Sequence, residues 1–584
     1  MGSEKPVSPD GLSVIEDLVR RERFRLYREA GLVSARHVPY QRTPERPFRA
    51  EEKDAVTILI GGLTQRHNRV IQAAGLSLGY RVETLPVPTK ADSQTGREYA
   101  DNGMCNPLYF TIGALINHLR RIQRESELSS QEIVDRYVLV SAGSCGPCRF
   151  GMYEAQYRLA LRNSGFDGFR VITFQQKKLK QESQDTGLEF NARVFLPLFL
   201  AVMTADLLNE LANQIRPYER IEGQTDRTFD RVTERVADCL KIPIDDHRRA
   251  GFAARWVSRL FPGAAPEEAQ LLLDQLFGRR YVALLRECAN VINKEIEVDF
   301  TRPKPKCKVT GEFWAQTTEG DGNFRMFSFL ESQGAEVLVE PITSWFLYLA
   351  ALAWNRIYDE RGLPPIEGER PRRGGSWWST FVRSVRFRIA VRLINREYNR
   401  FRKALGNTTY AQLDQFELEH LSKPYYNRKC MGGEGHLEIA KNIYYSTKKM
   451  AHMVVSLKPF GCLPSTQSDG AQAAVVAHYP DMNFIPIETS GEGDINAYSR
   501  VQMALGEAKT KCKEEFAACV ERTGRSLEEL RAYIAAHPML RRPLLNIPQY
   551  RGITGRAANF VLYVSGKMSR DAAYKWGRRA NKGM

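Results

Sequence analysis

Two cysteines separated by two residues, Cys145 and Cys148, form the most chemically capable pair of side chains in the sequence. They follow Val138–Val140, a short apolar run with β-branched residues that predicts a buried strand. Gly146 and Pro147 stand between them and predict a tight turn. Thiolates at this spacing suit a zinc ion, an iron–sulfur cluster or a redox-active dithiol. The pattern therefore predicts a soft-metal ligand pair, or a dithiol, at the exit of a strand.

Two further cysteines, Cys105 and Cys462, lie in loops of the same kind, with glycine close before them and proline two positions after them. We predict that Cys105, Cys145, Cys148 and Cys462 converge on one cluster. The alternative is that the Cys-x-x-Cys pair is structural or accidental. The other six cysteines are interpreted as structural thiols, among which Cys430 is the best candidate for an additional ligand: Cys239, Cys288, Cys307, Cys430, Cys512 and Cys519.

The elements that would position these loops alternate between strands and helices. Apolar runs predict strands at residues 56–60, 81–85, 137–141, 169–174, 308–314, 335–340, 454–458 and 484–488. Helical periodicity lies between most of them, which favours parallel sheets with crossover helices. The predicted fold class is α/β, with two Rossmann-like parallel-sheet units carrying cysteine loops at strand ends, together with helical insertions and a helical C-terminus. The two units predict a pseudo-duplicated architecture.

Changes in composition divide the chain into five predicted regions. Residues 1–50 form a helical arm, 51–185 the first Rossmann-like domain and 186–300 a helical region. Residues 301–500 form the second α/β domain, which contains a basic helical insertion at 375–425, and residues 501–584 form a basic helical C-terminal region. Cys105, Cys145 and Cys148 fall in the first α/β domain, and Cys462 falls in the second.

Composition is that of a water-soluble protein that functions in a reducing compartment. The 584 residues are 43% hydrophobic and 26% charged, and ten unevenly spaced cysteines are too few for a disulfide scaffold. The N-terminus lacks an apolar signal segment, and the longest apolar stretch, Trp345–Trp354, is too short to span a bilayer. We therefore expect a cytoplasmic protein without a membrane span.

The sequence carries a strong positive charge, with a formal net charge of +16. The densest basic cluster lies at Arg383–Lys403, where aromatic residues are interleaved with arginines, and a second lies at the C-terminus from Lys567 onward. Neither cluster has a recognisable nucleic-acid-binding motif around it. We interpret both as solvated or partner-docking helix faces, which disfavours nucleic acid as the partner. An acidic protein or an anionic substrate would use the same charge.

The sequence resembles the large C-terminal region of the acyl-CoA dehydratase activase-related proteins, relatives of the 2-hydroxyacyl-CoA dehydratases and of the double-cubane cluster proteins. The resemblance covers about residues 55–515 and rests on eight segments in order: Gly96–Tyr99, Asn102–Pro107, Gly146–Gly151, Lys308–Trp314, Gly432–Gly435, Lys458–Ser465, Asp469–Gly470 and Gly491–Asn496.

The resemblance implies an oxygen-sensitive iron–sulfur cluster, either 4Fe–4S or a double cubane, held by cysteines in an oligomer. Such a cluster would receive low-potential electrons from an ATP-dependent activase. It would dehydrate a 2-hydroxyacyl-CoA as a lyase, or reduce a small substrate as a reductase component. The chain lacks the activase's own nucleotide-binding motif, so the activase must be a separate protein. The alternative is a non-enzymatic metal-binding protein, structural or regulatory, that docks an activase.

Residues around the cysteines receive candidate roles. Arg149 and Lys458 flank the ligands and could offset the negative charge of a cluster. Gly432 and Gly433 could bring backbone N–H groups to a phosphate or a sulfide. The candidate proton donors or acceptors are Glu312, Glu434 and Asp494, with His67 or His436 as further candidates. In the alternative interpretation these carboxylates cap helices or pair with arginines.

Overall fold

The computed structural model describes residues 17–30 apart from 20, 24 and 28, and residues 45–143, 148–174, 187–188, 191–242, 250–260, 265–359, 377–430 and 433–580. The chain divides into two compact units, Met1–Arg46 and Pro47–Met584. In the first unit the described residues from 17 to 29 are helical, and Arg25 donates to Glu22 at 2.6 Å and to Glu29 at 2.9 Å. Everything below concerns the second unit.

The first sheet consists of β1 (Thr57–Ile60), β2 (Arg81–Thr84), β3 (Tyr137–Ala142) and β4 (Arg170–Phe174). The strands run parallel in the order β2-β1-β3-β4, with Leu59 opposite Leu139 at the centre. Both of these leucines are buried, as expected for a parallel sheet covered on both faces. The accompanying helices are α1 (Gln65–Ser77), α2 (Lys90–Tyr99), α3 (Asn106–Ser126), α4 (Ser130–Arg136) and α5 (Tyr153–Asn163).

A helical region follows, as the sequence predicted. Its helices are α6 (Ala192–Ile215), α7 (Gln224–Leu240), α8 (Phe252–Leu260), α9 (Pro266–Phe277) and α10 (Arg280–Glu295). By length and composition, the segment Arg193–Tyr218 could cross a membrane, which the sequence analysis did not anticipate. Because 61% of its most apolar stretch is buried in the fold, the segment resembles the core helix of a soluble protein.

The second sheet repeats the topology of the first. Its strands β5 (Lys306–Gly311), β6 (Glu336–Leu338), β7 (Met453–Pro459) and β8 (Phe484–Thr489) run parallel in the order β6-β5-β7-β8. The remaining helices are α11 (Phe313–Thr317), α12 (Met326–Ser332), α13 (Ile342–Asp359), α14 (Trp377–Ala404), α15 (Gln415–Ser422), α16 (His436–Thr447), α17 (Leu463–His478), α18 (Asp494–Arg522), α19 (Leu527–Ala536) and α20 (Arg556–Ala580). The α/β class with two Rossmann-like units is therefore confirmed.

One predicted strand ends earlier than expected. The apolar run 308–314 was assigned to a single strand, but β5 ends at Gly311 and α11 begins at Phe313. Gly311 has φ +117°, and the side chain of Glu312 accepts the Ala315 N–H at 2.9 Å, so a helix cap replaces the end of the strand. This early turn places Glu312 at the carboxyl edge of the second sheet.

A helical core, rather than either sheet, is the largest hydrophobic cluster of the described chain. It gathers side chains from α1, α6, α7, α10, α14, α18, α19 and α20, whereas each sheet also has a smaller core of its own. A buried ion pair fastens the second sheet to the C-terminal helix, because Arg556 donates to Glu336 at 3.0 Å and Tyr218 donates to the same carboxylate at 2.9 Å. The helical regions thus hold the two α/β units in one compact unit.

Candidate metal centre

Three of the predicted ligand cysteines stand directly before a helix or a helical turn. Cys105 precedes α3, Cys462 precedes α17, and Cys148 precedes the short 3-10 turn Arg149–Met152. In the described structure none of the three side chains caps its own helix. Because a helix N-terminus carries a partial positive charge, the positions of Cys105 and Cys462 would help to stabilise a metal-bound thiolate.

The cysteine loops of the two sheets contact each other directly. The N–H of Asn106 donates to the carbonyl of Phe460 at 3.1 Å. At Gly461, φ is +76°, and an added Cβ would lie 3.2 Å from the Met104 carbonyl oxygen and 3.5 Å from the Cys105 Cα. This glycine therefore allows Cys105 and Cys462, more than 300 residues apart in sequence, to approach.

The charged residues predicted beside the cysteines also reach this region. An Nη atom of Arg149 lies 3.7 Å from the added Cβ at Gly461, and Arg149 lies within electrostatic range of Cys105. Cys148 lies within electrostatic range of Cys105, Glu312 and Glu434. Lys458 is buried on β7, pairs with Asp469, and lies 3.7 Å from a Glu438 carboxylate oxygen. The structure thus brings together three cysteines, two glutamates and two cations.

Three other predicted residues stand apart from this group or outside the described chain. Cys145 and Gly432 belong to segments that lie outside the described residues. Asp494 forms an ion pair with Lys90 at 3.0 Å, with both side chains substantially exposed. Gly433 has φ +63° and accepts a hydrogen bond from the Tyr348 hydroxyl at 3.2 Å through its carbonyl oxygen. Gly433 also packs against Pro464, two residues after Cys462.

Burial controls the protonation of the thiols. Burial raises the pKa of Cys105 to about 11, although a hydrogen bond with the Tyr153 hydroxyl, 3.0 Å from Sγ, works in the opposite direction. Burial likewise raises the pKa of Cys148 to about 12, and it raises the pKa of Cys462 too. At neutral pH these thiols keep their protons in the protein alone. A bound cation reverses this preference, because metal coordination deprotonates a thiol.

Two carboxyl groups beside the thiols also have raised pKa values. Burial raises the pKa of Glu312 to about 7, against the effect of the Ala315 and Trp314 N–H groups. Burial, followed by the charges of Glu312 and Glu438, raises the pKa of Glu434 well above its usual value. Glu434 also accepts the Phe313 N–H. Each carboxyl group therefore combines both predicted roles. It accepts backbone hydrogen bonds, and its raised pKa suits it to carry a proton.

Two residues of this region, Glu438 and Tyr153, are not among those predicted from sequence. Glu438 is buried, accepts hydrogen bonds from Ser465 at 3.1 Å and from Ser468, and faces Lys458. Its position in the first turn of α16, four residues after the candidate Glu434, was the available signal, although Glu434 itself precedes the helix. Tyr153, which contacts Cys105, carried no comparable signal, since a tyrosine in an amphipathic helix is usually a core residue.

The thiol donors suit a soft metal, whereas their arrangement does not suit a single metal ion. Three thiols at helix N-termini suit iron and sulfide. Within the described residues, however, no group of three or more His, Cys, Asp and Glu side chains is arranged to hold one metal ion. Comparison with known proteins adds no assignment, because no protein-family model matches the chain and no curated protein is detectably similar to it.

Proposed function

We propose that this chain is an iron–sulfur protein of the 2-hydroxyacyl-CoA dehydratase and activase superfamily. Its cluster would be held by Cys105, Cys148 and Cys462, with Cys145 as the fourth ligand. The observation that supports this proposal is the approach of cysteine loops from the two parallel sheets, with Cys105 and Cys462 each directly before an α-helix. The resemblance of the sequence to that superfamily supplies the type of cluster, 4Fe–4S or a double cubane.

The cluster, once bound, would supply low-potential one-electron transfer for dehydration of a 2-hydroxyacyl-CoA or reduction of a small substrate. The residues of the chain prepare the site for it. The helix N-termini of α3 and α17 stabilise thiolates, and Arg149 and Lys458 offset negative charge. Glu312 and Glu434, whose pKa values burial raises, could donate or accept protons in the buried region beside Cys148. Electron arrival and proton supply would therefore meet at one site.

A non-enzymatic role, in which the metal-bound chain docks an activase, has an observation in its favour. The described structure has a cavity of about 820 Å³, but the three cysteines, Glu312 and Glu434 do not line it. Because this cavity lies away from the three described thiols, the buried thiols suit a carrier or a structural metal site. Turnover of a 2-hydroxyacyl-CoA by protein supplied with ATP and an activase would separate the enzyme from the carrier.

The basic helix α14 is the proposed dock for the separate activase. Arg388, Arg392 and Arg396 are exposed and lie four residues apart along the helix. Beside them, the exposed Phe381, Val385 and Ile389 follow the same spacing. A basic stripe next to an apolar stripe suits a partner with an acidic rim. The nine described cysteines are free thiols, which agrees with the proposed cytoplasmic location.

The test is anaerobic purification followed by measurement of iron, acid-labile sulfide and the EPR spectrum of the reduced protein. We compare the wild type, Cys462→Ala and the control Cys519→Ala, which removes an equally buried thiol from α18. We expect about four irons and four sulfides per chain for one 4Fe–4S cluster, lost in Cys462→Ala and retained in Cys519→Ala. Zinc without sulfide, or equal iron in both variants, would contradict the proposal.

A further inference from the structure

A second group of chemically capable side chains lies away from the cysteines, at the carboxyl edge of the first sheet. Strand β1 ends at Ile60, and the chain turns through Gly62, which has φ +92°, into α1, whose N-cap is Thr64. Because β1 lies between β2 and β3, this turn stands where the order of the strands reverses. Open α/β sheets bind ligands at that position, and α/β enzymes place nucleophiles on such strand–turn–helix segments.

Hydrogen bonds join Thr64 to a histidine and an aspartate. The Oγ1 atom of Thr64 lies 2.7 Å from Nδ1 of His67, and Nε2 of His67 lies 3.0 Å from Oδ1 of Asp206. Asp206 also accepts the backbone N–H groups of Ile342 and Thr343, both at 2.8 Å. Because this carboxylate is an acceptor, Nε2 of His67 carries the imidazole hydrogen, and Nδ1 accepts the hydroxyl proton of Thr64.

These three side chains have the arrangement of a nucleophile, a base and a residue that orients the base. All three line the cavity of about 820 Å³, and Thr64 is 8% exposed. Its Oγ1 also accepts hydrogen bonds from Nδ2 of Asn209 at 2.9 Å and from the backbone N–H of His67 at 3.3 Å. Both donors point at the atom on which negative charge develops as the proton leaves. Arg66 donates to Oδ1 of Asn209 at 3.0 Å, which places positive charge beside that amide.

Capping of α1 explains only part of these contacts. A capping threonine uses the backbone N–H of His67, but it needs neither the imidazole ring nor the carboxylate of Asp206, 139 residues farther along the chain. The cavity beside Thr64 has the size of a site for a small organic molecule. Val87 and Phe327 add apolar surface to its lining, which suits a short acyl chain.

We propose that Thr64 is the nucleophile of an esterase site in this cavity, with His67 as general base and Asp206 as the residue that positions the imidazole. The Oγ1 proton passes to Nδ1 of His67 as Oγ1 bonds to the acyl carbon of a carboxylic ester. His67 then gives that proton to the departing alcohol as the ester C–O bond breaks. Water attacks the acyl-threonine, loses a proton through His67 to Oγ1, and releases the carboxylic acid. This activity is independent of the cysteine cluster.

Labelling of the full chain with an alkyl fluorophosphonate, mapped by mass spectrometry, tests the proposal. Oγ1 displaces fluoride from phosphorus, so we expect a phosphonyl group on Thr64. Thr64→Ser keeps both the cap and the hydroxyl and should be labelled, whereas Thr64→Asn keeps a capping oxygen without the hydroxyl and should lose the label. The control Ser526→Asn makes a similar change at the N-cap of α19, outside this cavity, and should be labelled as the wild type is.

The wild-type protein also provides a test that needs no variant. With p-nitrophenyl acetate it should release p-nitrophenol in a burst of about one equivalent and carry one acetyl group on Thr64. The role of the base is tested by His67→Gln, which should slow labelling about 100-fold or more. An unlabelled Thr64 in the wild type, adducts confined to cysteine or lysine, undiminished labelling of Thr64→Asn, or an unchanged rate in His67→Gln would overturn the proposal.

Discussion

Replacement of Gly113 by alanine should separate the two helices that position Cys105. Gly113 lies on α3, where an added Cβ would stand 1.6 Å from the Asp92 carbonyl oxygen of α2. Ordinary van der Waals contact begins at 3.4 Å, so the two backbones must move apart by nearly 2 Å. The clash is between backbone atoms, which no side-chain rotation can relieve.

The magnitude follows from two opposing effects. Overpacking of this kind costs about 1–3 kcal/mol, and separation of the helices also weakens the 2.8 Å hydrogen bond from Asn117 to Asp92, worth about 1 kcal/mol. Alanine gains at most about 1 kcal/mol over glycine in helix propensity. We therefore expect Gly113→Ala to lower the free energy of unfolding by about 1–3 kcal/mol.

The matched control is Gly506→Ala, the same substitution in helix α18 at a position with no atom within 4 Å of the added Cβ. It should leave stability unchanged or raise it by up to about 1 kcal/mol. Urea denaturation followed by circular dichroism measures both variants, and iron and sulfide analysis follows the site. Because α3 begins next to Cys105, Gly113→Ala should also lose cluster content. Equal denaturation midpoints for the two variants would refute the packing argument.

Three other changes test different parts of the structure. Tyr153→Phe removes only the hydroxyl next to Cys105 Sγ, and we expect the reduction potential of the reconstituted protein to fall by roughly tens of millivolts in a redox titration; an unchanged potential would exclude this hydrogen bond as a tuning element. Glu336→Gln leaves Arg556 buried without its charged partner and should lower the free energy of unfolding by about 3–5 kcal/mol in chemical denaturation. Asp494→Asn changes an exposed ion pair and should lower it by less than about 1 kcal/mol. Similar losses in the two variants would contradict the burial argument. Burial lowers the pKa of His436 to about 4, below its ordinary value of 6.5, so the unfolded chain takes up the proton first and stability should fall as pH drops from about 6.5 to 4. That decline should be smaller in His436→Gln.

The fold could be predicted from sequence because local sequence patterns indicate its strands and helices. The apolar runs at 137–141 and 454–458 are found as β3 and β7, each followed by a cysteine loop. The run 308–314 was misassigned at its end, because hydrophobicity alone does not reveal that Glu312 caps a new helix. The all-round apolar α6 lies in the predicted helical region, but an apolar segment does not by itself show whether protein or lipid will surround it; in the fold, protein buries 61% of its most apolar stretch.

The sequence by itself determined the alternation of strands and helices, the cysteine loops and the glycines that those turns require. Only the tertiary structure decided which loops meet. Contact between Cys105 and Gly461 depends on the packing of two sheets through a shared helical core, and no local periodicity encodes a contact over that separation. Burial decided the rest: of the three candidate acids, Glu312 and Glu434 are buried and have raised pKa values, whereas Asp494 forms an exposed ion pair. The physical reason is that a charged group's pKa depends on the solvent and charges around it, which are properties of the folded chain.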